Sequence, residues 1–417
     1  MGTTDETTYD VAVVGLGALG SAIVRPLTQR GARVLGLDRH APPHDRGSSH
    51  GESRITRLAI GEGDAYVPLV RRSHAIWRAL ERQTGLPLYE ATGGLILGSE
   101  RSRRTHHGKP DFLHRTIGSA QRHGIAHELL DAREIRRRFP PFTLRGDEIG
   151  YWEPEAGLVR PEQAIRAQLA VARASGAQLR TGETLLGLEP QGDGSVLLAT
   201  DQGRYRALQV VLSAGAWLPE LLRGQGEAAW AAWSGEFAVY RQTMHWFALQ
   251  PGAAPDFAPG RFPVFIWMYG DGEEDYFYGF PSVDPQQPAL KVATEQYLAP
   301  TTPEALRREV DAGEAAAMHA SRVAGRFPQA GPQALHSRAC MYTVSRDRDF
   351  VVDRLGPGLP VWVASACSGH GFKHSAGLGE AIALKLLDVG TGALLAPFGR
   401  RAAAAPQPAS PAAAPNR

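Results

Sequence analysis

The hydrophobic and polar positions change period several times along the chain, and each change marks an element. Residues 9–14 (YDVAVV) are a near-continuous apolar run of strand length, as in a strand buried on both faces. From 18 to 30 the apolar residues recur at helical spacing, and 32–37 form a second buried strand that ends at Asp38. Residues 70–83 predict an amphipathic helix and 93–97 a strand. Helices are expected over 111–123 and 132–139, a strand over 149–153, and a helix over 161–175 with proline in its first turn. The stretches 178–188, 195–200 and 205–212 are β-rich. Strand-like runs then dominate at 237–249, 264–268, 275–280 and 289–292, with Trp246, Phe265, Trp267, Tyr276 and Phe280 among their aromatics. That is the pattern of a large mixed or antiparallel sheet with one face lining a pocket. A helix is expected over 303–321. A β-type run at 334–343 and a buried strand at 360–366 precede a Gly-rich turn, 368–373, and a helix from about Ser375.

Two of these junctions carry chemistry. The first is a strand–helix–strand unit with Gly15, Gly17 and Gly20 at GxGxxG spacing. Gly15 makes the tight turn, Gly17 lets a pyrophosphate approach, Gly20 lets helix and strand pack, and Asp38 stands where an acid bonds a ribose hydroxyl. The unit predicts a bound dinucleotide and leaves NAD and FAD open. The second is the turn at 368–373, where Gly369 and Gly371 let backbone approach an anion or an electron-rich ring edge and Lys373 adds a cation at the mouth. The strand end LSAGAW, 212–217, is a further place of close backbone approach. Between them, 41–69 is too rich in Gly, Ser, Pro and His for a regular element, and such long loops are usually functional. It carries Arg54 and Arg57, which would share a face on a helical turn or else face solvent. His50 is either a cofactor-side donor or a plain loop histidine. The charged run at 99–110 (SERSRRTHHGKP) reads as a solvated surface loop.

Composition narrows the class. With 45 Lys and Arg against 43 Asp and Glu the net charge is +2, so neither nucleic acid nor a membrane surface is an expected partner. No apolar run reaches membrane-spanning length and the N-terminus lacks secretory-signal features. Cys340 and Cys367 cannot make a disulfide framework, so a soluble protein of a reducing, cytoplasmic compartment is expected, with no metal-ligand set. Lysine is scarce: Lys109, Lys291, Lys373 and Lys385 are the only four. Lys109 and Lys385 read as surface residues. Lys291 and Lys373 lie in apolar or Gly-rich surroundings, where a compact ammonium with a tunable pKa differs from arginine. The end of the chain, 399–417, is Ala/Pro-rich and expected to be disordered.

The ordered set of motifs resembles the monomeric sarcosine oxidase and N-methyltryptophan oxidase family. It is carried by GLGALG at Gly15, GSSHGESRITR at 47–57, GEGDAYVPL at 61–69, SAGAW at Ser213, FYGFP at 277–281, LKV around Lys291, ACMYT around Cys340 and SGHGFKHSAGLGE from Ser368. The resemblance implies an α/β fold: a discontinuous Rossmann-type FAD-binding domain (1–90, 150–225 and 325–398) with an inserted mixed or antiparallel β-sheet substrate domain (91–149 and 226–324). It implies oxidation of a secondary amine (an N-methyl or cyclic amino acid) to an imine, with oxygen as electron acceptor and hydrogen peroxide as product, by a monomer. An amino-acid dehydrogenase with another acceptor, or a non-catalytic flavin- or amine-binding protein, are the alternatives. FAD would be attached covalently through Cys340, a thiolate being the right nucleophile for a ring methyl. Arg39, Ser48, His50 and Phe372 would join the glycines and Asp38 around the cofactor. Arg57 and Lys373 would clamp the substrate carboxylate by charge-assisted bonds. Arg54 would lie against the flavin ring, and Lys291 would stabilise negative charge developing on oxygen. Two positions depart from the family. Phe277 replaces a tyrosine and Glu295 a histidine, both of the pocket wall, which points to a substrate larger or more basic than sarcosine.

Overall fold

A computed structural model describes residues 4–400 apart from 102, 104, 227, 271, 273, 274 and 391. Its first sheet has a parallel centre. Val361–Ser365, Arg204–Leu212, Thr4–Val14, Val34–Asp38 and Gln178–Thr181 lie side by side, with Val13 opposite both Val211 and Gly36. Antiparallel strands extend the sheet only beyond Arg204–Leu212, whose outer edge is shared: Val196–Thr200, backed by Leu185–Pro190, pairs with its first half, and Val361–Ser365, backed by Val351–Arg354, with its end. Val34–Asp38 is buried along its whole length, as helices on both faces of a parallel sheet require. The helices Ala18–Gln29 and Ser375–Leu386 both leave C-terminal ends of this sheet and pack on each other. Ligands of open α/β sheets bind at those strand ends.

The second sheet is mixed. Its order is Pro300–Thr301, Phe237–Leu249, Ala289–Ala293, Tyr276–Phe280, Val264–Met268, Gly94–Ser99, Glu148–Glu153 and Glu128–Asp131, antiparallel except where Val264–Met268 meets Gly94–Ser99. Ala330–Ser345 runs antiparallel along Phe237–Leu249, so the range 325–398 expected in the nucleotide domain starts with a strand of this sheet. Glu148–Glu153 likewise belongs here rather than with the nucleotide sheet. One face of the sheet packs Phe247, Phe265, Trp267 and Phe277 with Phe142 and Phe327 into an aromatic core. Strand alternation turns the next residues in line, Tyr276, Tyr278 and Lys291, to the opposite face. A small third sheet joins Arg54–Thr56, Gly157–Val159 and Tyr89–Glu90.

Most expected elements are present, with three differences. The segment 41–69 is not wholly irregular: it contains the strand Arg54–Thr56 and a short helical turn, Asp64–Tyr66. The helix expected over 303–321 covers only Ala312–Met318, followed by a short π-helical turn, His319–Val323. It starts late because Asp311 and Glu314 form a capping box, while Arg241 takes the Arg307 and Glu309 carbonyls from the preceding segment. Of the expected disordered end, residues 401–417 lie outside the described residues. Arg400 pairs with Glu236 at 2.9 Å and stands 4.6 Å over the Trp233 ring. No helix among the described residues is long and apolar enough to cross a membrane.

Candidate active site

A deep cleft opens above the parallel sheet, lined by Gly15, Gly17, Asp38, Arg39, Ser48, Arg54, Gly369, Gly371 and Phe372 among others. The first turn is built for close approach. Gly15 has φ +90°, and Gly17 faces open space where a side chain would project. Asp38 is held in place by the Leu16 and His40 amides, both 2.8 Å away. At the other end a Cβ on Gly371 would stand 1.5 Å from the Ala366 carbonyl oxygen, so glycine alone permits this turn. Arg39 pairs with Glu304 and lies 5.4 Å over Trp217 at the rim. These features fit a long dinucleotide: a pyrophosphate over Gly15–Gly17, a ribose at Asp38, and a ring system towards Gly369. His50 fits as well. It is buried, and its Nε2 has no partner among the described residues. Burial, with Arg54 nearby, holds its imidazole neutral, down to about 4.

The two arginines separate. On the extended strand, positions three apart face opposite ways, so the shared helical face does not form. Arg54 lines the cleft and donates to the Ser48 and Ser53 carbonyls. Arg57 turns away into the protein, where it is buried and pairs with Glu62 at 2.8 Å while also donating to the Ala59 carbonyl. Its loop is pinned from below by the buried Glu153, which accepts from the Leu58 and Ala59 amides and the Tyr151 hydroxyl. Lys373, at the start of the last long helix, reaches the same Glu62 at 3.3 Å. Burial lowers Lys373 to about 8, opposed chiefly by Glu62. Arg57 and Lys373 hold Glu62 well below the usual carboxylate range despite its burial. Two cations from distant parts of the chain thus converge on one carboxylate position.

Lys291 is buried on the second sheet, with its ammonium 4.3 Å over Phe280 and 5.1 Å over Trp246. Three oxygens receive its three protons: the Gly51 carbonyl at 2.5 Å and the Ser53 carbonyl and hydroxyl at 2.9 Å. Burial, then Arg54, pushes its pKa well below the ordinary lysine value. Glu162 fixes this loop by accepting from the Gly51 and Glu52 amides. Cys340 is buried beside Met244, Trp246 and Tyr342, and burial lifts its thiol to about 11. It does not itself line the cleft, but Tyr342, two residues along the same strand and hence on the same face, does. Cys367, read as a core thiol, also lines the cleft.

Three expectations for this region change. Phe277 is fully buried in the aromatic core, stacked on Trp267, and is not a pocket-wall residue. The neighbours on its strand, Tyr276 and Tyr278, face the site instead: the Tyr276 hydroxyl donates to Glu295 at 2.8 Å and Tyr278 pairs with Tyr342. The run at 99–110 is not all solvated. His106 and His107 are buried, and Lys109 pairs with Asp349 at 3.1 Å. Glu295 is buried next to His107, 3.0 Å away, and also accepts from Tyr297 at 2.6 Å. One ring nitrogen each of His106 and His107 and a Glu295 carboxylate oxygen lie within 4.8 Å of one another: His107 pairs with Glu295, and the His106 ring packs with its centroid 3.9 Å from that of His107. Glu62, Glu153, Glu162 and His107 escaped the sequence reading. Glu62 stands in the GEG motif, where its scarcity of apolar neighbours gave no sign of burial.

Fold and cleft together fit a dinucleotide-dependent oxidoreductase. The comparisons agree: the FAD dependent oxidoreductase family matches residues 10–384, and the chain belongs to this family. It is 41% identical over 409 residues to the monomeric sarcosine oxidase of Streptomyces avermitilis, covering 96% of this chain and 99% of that protein. It is 32% identical over 391 residues to the N-methyl-L-tryptophan oxidase of Yersinia pestis, covering 90% and 94%. Among solved structures, a variant of NikD, an unusual amino acid oxidase essential for nikkomycin biosynthesis, superposes in its open form with a TM-score of 0.78 at 25% identity, covering 96% and 99%. The glycine oxidase of Geobacillus kaustophilus shares the fold, with a TM-score of 0.72 at 21% identity. The chain is an FAD-dependent amine oxidoreductase of the sarcosine oxidase type.

Proposed function

We propose that this enzyme oxidises the secondary amine of an N-methyl or cyclic amino acid and passes the electrons to oxygen. One observation carries the choice of an amino acid: Arg57 and Lys373 already hold a carboxylate, that of Glu62, in a buried site next to the turn at Gly369–Gly371. A substrate carboxylate meets the same pair of donors, and charge-assisted bonds to a buried Arg and Lys are strong. FAD, when bound, would supply the two-electron acceptor for the hydride on the carbon next to nitrogen, with oxygen as the final acceptor and hydrogen peroxide as its product. Arg57 and Lys373 orient the amino acid; the Lys291 amine, held on the Gly51 and Ser53 carbonyls and the Ser53 hydroxyl, is the group that would stabilise negative charge developing on oxygen. The substrate imine then takes up water and splits into an amine and an aldehyde or ketone. The Glu295 carboxylate in place of the family's histidine favours a substrate other than sarcosine. A cytoplasmic monomer is the simplest setting for such an enzyme. Oxygen consumption over a panel of N-methyl and cyclic amino acids tests the reading: one peroxide should appear per amine oxidised, with sarcosine not the best substrate. Amine oxidation without peroxide would move the assignment to a dehydrogenase with another acceptor.

We place the covalent flavin link on Cys340, because its strand face is that of the cleft-lining Tyr342; burial raises its thiol to about 11, and Arg54 and Lys291 oppose that rise. Acid precipitation of the wild-type protein should leave the yellow colour in the pellet. Cys340→Ser should release it to the supernatant, while Cys367→Ser should not. Release by Cys367→Ser alone would put the link on the other thiol.

A further inference from the structure

The carboxylate site contains more charge than its two cations. His107 lies between the two buried acids, with Nδ1 3.3 Å from Glu62 and Nε2 3.0 Å from Glu295. It is brought there by a tight turn, in which the His106 and Lys109 backbones exchange two hydrogen bonds of 2.9 Å. The two residues at the tip, His107 and Gly108, have φ of +50° and +73°. That mirror-image turn suits glycine and is unfavourable for histidine, so the buried contacts of the imidazole hold it there. Lys109 anchors the far side of the turn on Asp349, which also accepts from Tyr66. The edge of the cofactor cleft is close. A Cβ on Gly369 would lie 2.7 Å from the Tyr297 hydroxyl, 3.0 Å from His107 Nε2 and 3.2 Å from Glu295 Oε1.

The charges can be counted. Glu62 is negative and faces Arg57, Lys373 and His107; Glu295 is negative and faces His107, with only hydroxyls from Tyr276 and Tyr297 besides. The neighbouring rings of His106 and His370 are buried, and burial holds both neutral. Arg348 lies over the far side of the Tyr297 ring, 4.3 Å away. With His107 protonated, three cations face two anions, and one positive charge is left for an incoming carboxylate. With His107 neutral, two cations face two anions and none is left. A buried charge without a counter-charge is costly, so the difference decides whether a second carboxylate can enter.

We propose that His107 and Glu295 form a charge pair that governs substrate-carboxylate binding at Arg57 and Lys373, His107 acting as a positioning residue that neutralises Glu295 and partners Glu62. The proposal rests on the reading of Arg57 and Lys373 as the substrate-carboxylate site. Burial disfavours a charged imidazole here, but Glu295 and Glu62 outweigh it and raise the pKa of His107 above the ordinary imidazole value, which favours the charged form of the pair. As pH rises through that raised value His107 loses its proton, the net charge falls by one, and carboxylate affinity falls. The Lys373 step, near 8, adds to this in the same direction.

The test uses the holoenzyme and acetate as probe, with acetate affinity measured by calorimetry at about pH 7 and above. His107→Gln should weaken acetate binding at least about tenfold, because it leaves Glu295 uncompensated. Glu295→Gln should bind at least as tightly as wild type, since it removes the acid that His107 balances. The double variant His107→Gln/Glu295→Gln should regain wild-type affinity within about threefold and lose it less steeply with rising pH, only the Lys373 step remaining. A merely structural role for the turn would instead make the double variant at least as weak as His107→Gln; that result, or His107→Gln binding like wild type, overturns the proposal. Arg57→Met in the same assay separates the two layers. If it leaves acetate binding unchanged, the carboxylate-site reading itself falls; if it abolishes binding while His107→Gln is neutral, only the charge pair falls.

Discussion

Lys291→Met leaves anaerobic bleaching of the yellow enzyme by its amine substrate within about threefold of wild type and slows recolouring by air about a hundredfold or more. The magnitude is that of removing one preorganised charge or donor aimed at developing negative charge. The cause is local. Lys291 is the cation buried between Phe280 and Trp246, and its three acceptors hold the ammonium in one orientation. Methionine fills a similar volume, so the second sheet stays packed while the charge goes. Stopped-flow mixing of reduced enzyme with oxygenated buffer measures the step directly. Equal recolouring rates in the two proteins would remove Lys291 from the reaction with oxygen.

Arg57→Met raises the KM for the amino acid about a hundredfold or more, while kcat/KM for the matching amine without its carboxylate stays within about threefold. Breaking one partner of a buried ion pair costs about 3–5 kcal/mol, which sets that scale. Part of the cost would fall on stability, since Glu62 would be left with Lys373 and His107 alone. The double variant Arg57→Met/Glu62→Gln removes the stranded acid and should keep the raised KM while recovering the thermal midpoint. A KM that returns to wild type in the double variant would show that Arg57 acts on Glu62 rather than on substrate.

How much of this was legible in the sequence depends on the kind of order involved. The stretch 9–14 of the first strand, the glycine turn and the acid at Asp38 were legible because local needs dictate them: a positive φ at Gly15, a close approach at Gly371, and the buried apolar residues Val11, Ala12, Val13 and Val14; the polar first half of Thr4–Val14 carried no such signal. Lys291 and Lys373 stood out because a lysine in apolar surroundings is chemically unusual. The turn at His106–Lys109 was not legible. Local polarity predicts solvent, and only Glu62 and Glu295, 45 residues upstream and 188 downstream of His107 in the chain, make its burial favourable. Phe277 misled for a simpler reason. Its strand position is right, but a period of two decides the face, and the alternation put Tyr276 and Tyr278 on the site side. Arg54 and Arg57 would share a face on a helical turn or else face solvent, and three-residue spacing could not choose; pairing with Gly157–Val159 made Arg54–Thr56 a strand.

The most direct measurement of the central claim is an anaerobic titration of the purified yellow protein with paired amines, each secondary-amine amino acid matched by its decarboxylated counterpart. The account predicts stoichiometric bleaching by an N-methyl or cyclic amino acid, at concentrations about a hundredfold lower than for the counterpart, as two buried cations at one carboxylate position require. Bleaching by the two members of each pair at equal concentrations, or by primary amines alone, would contradict it.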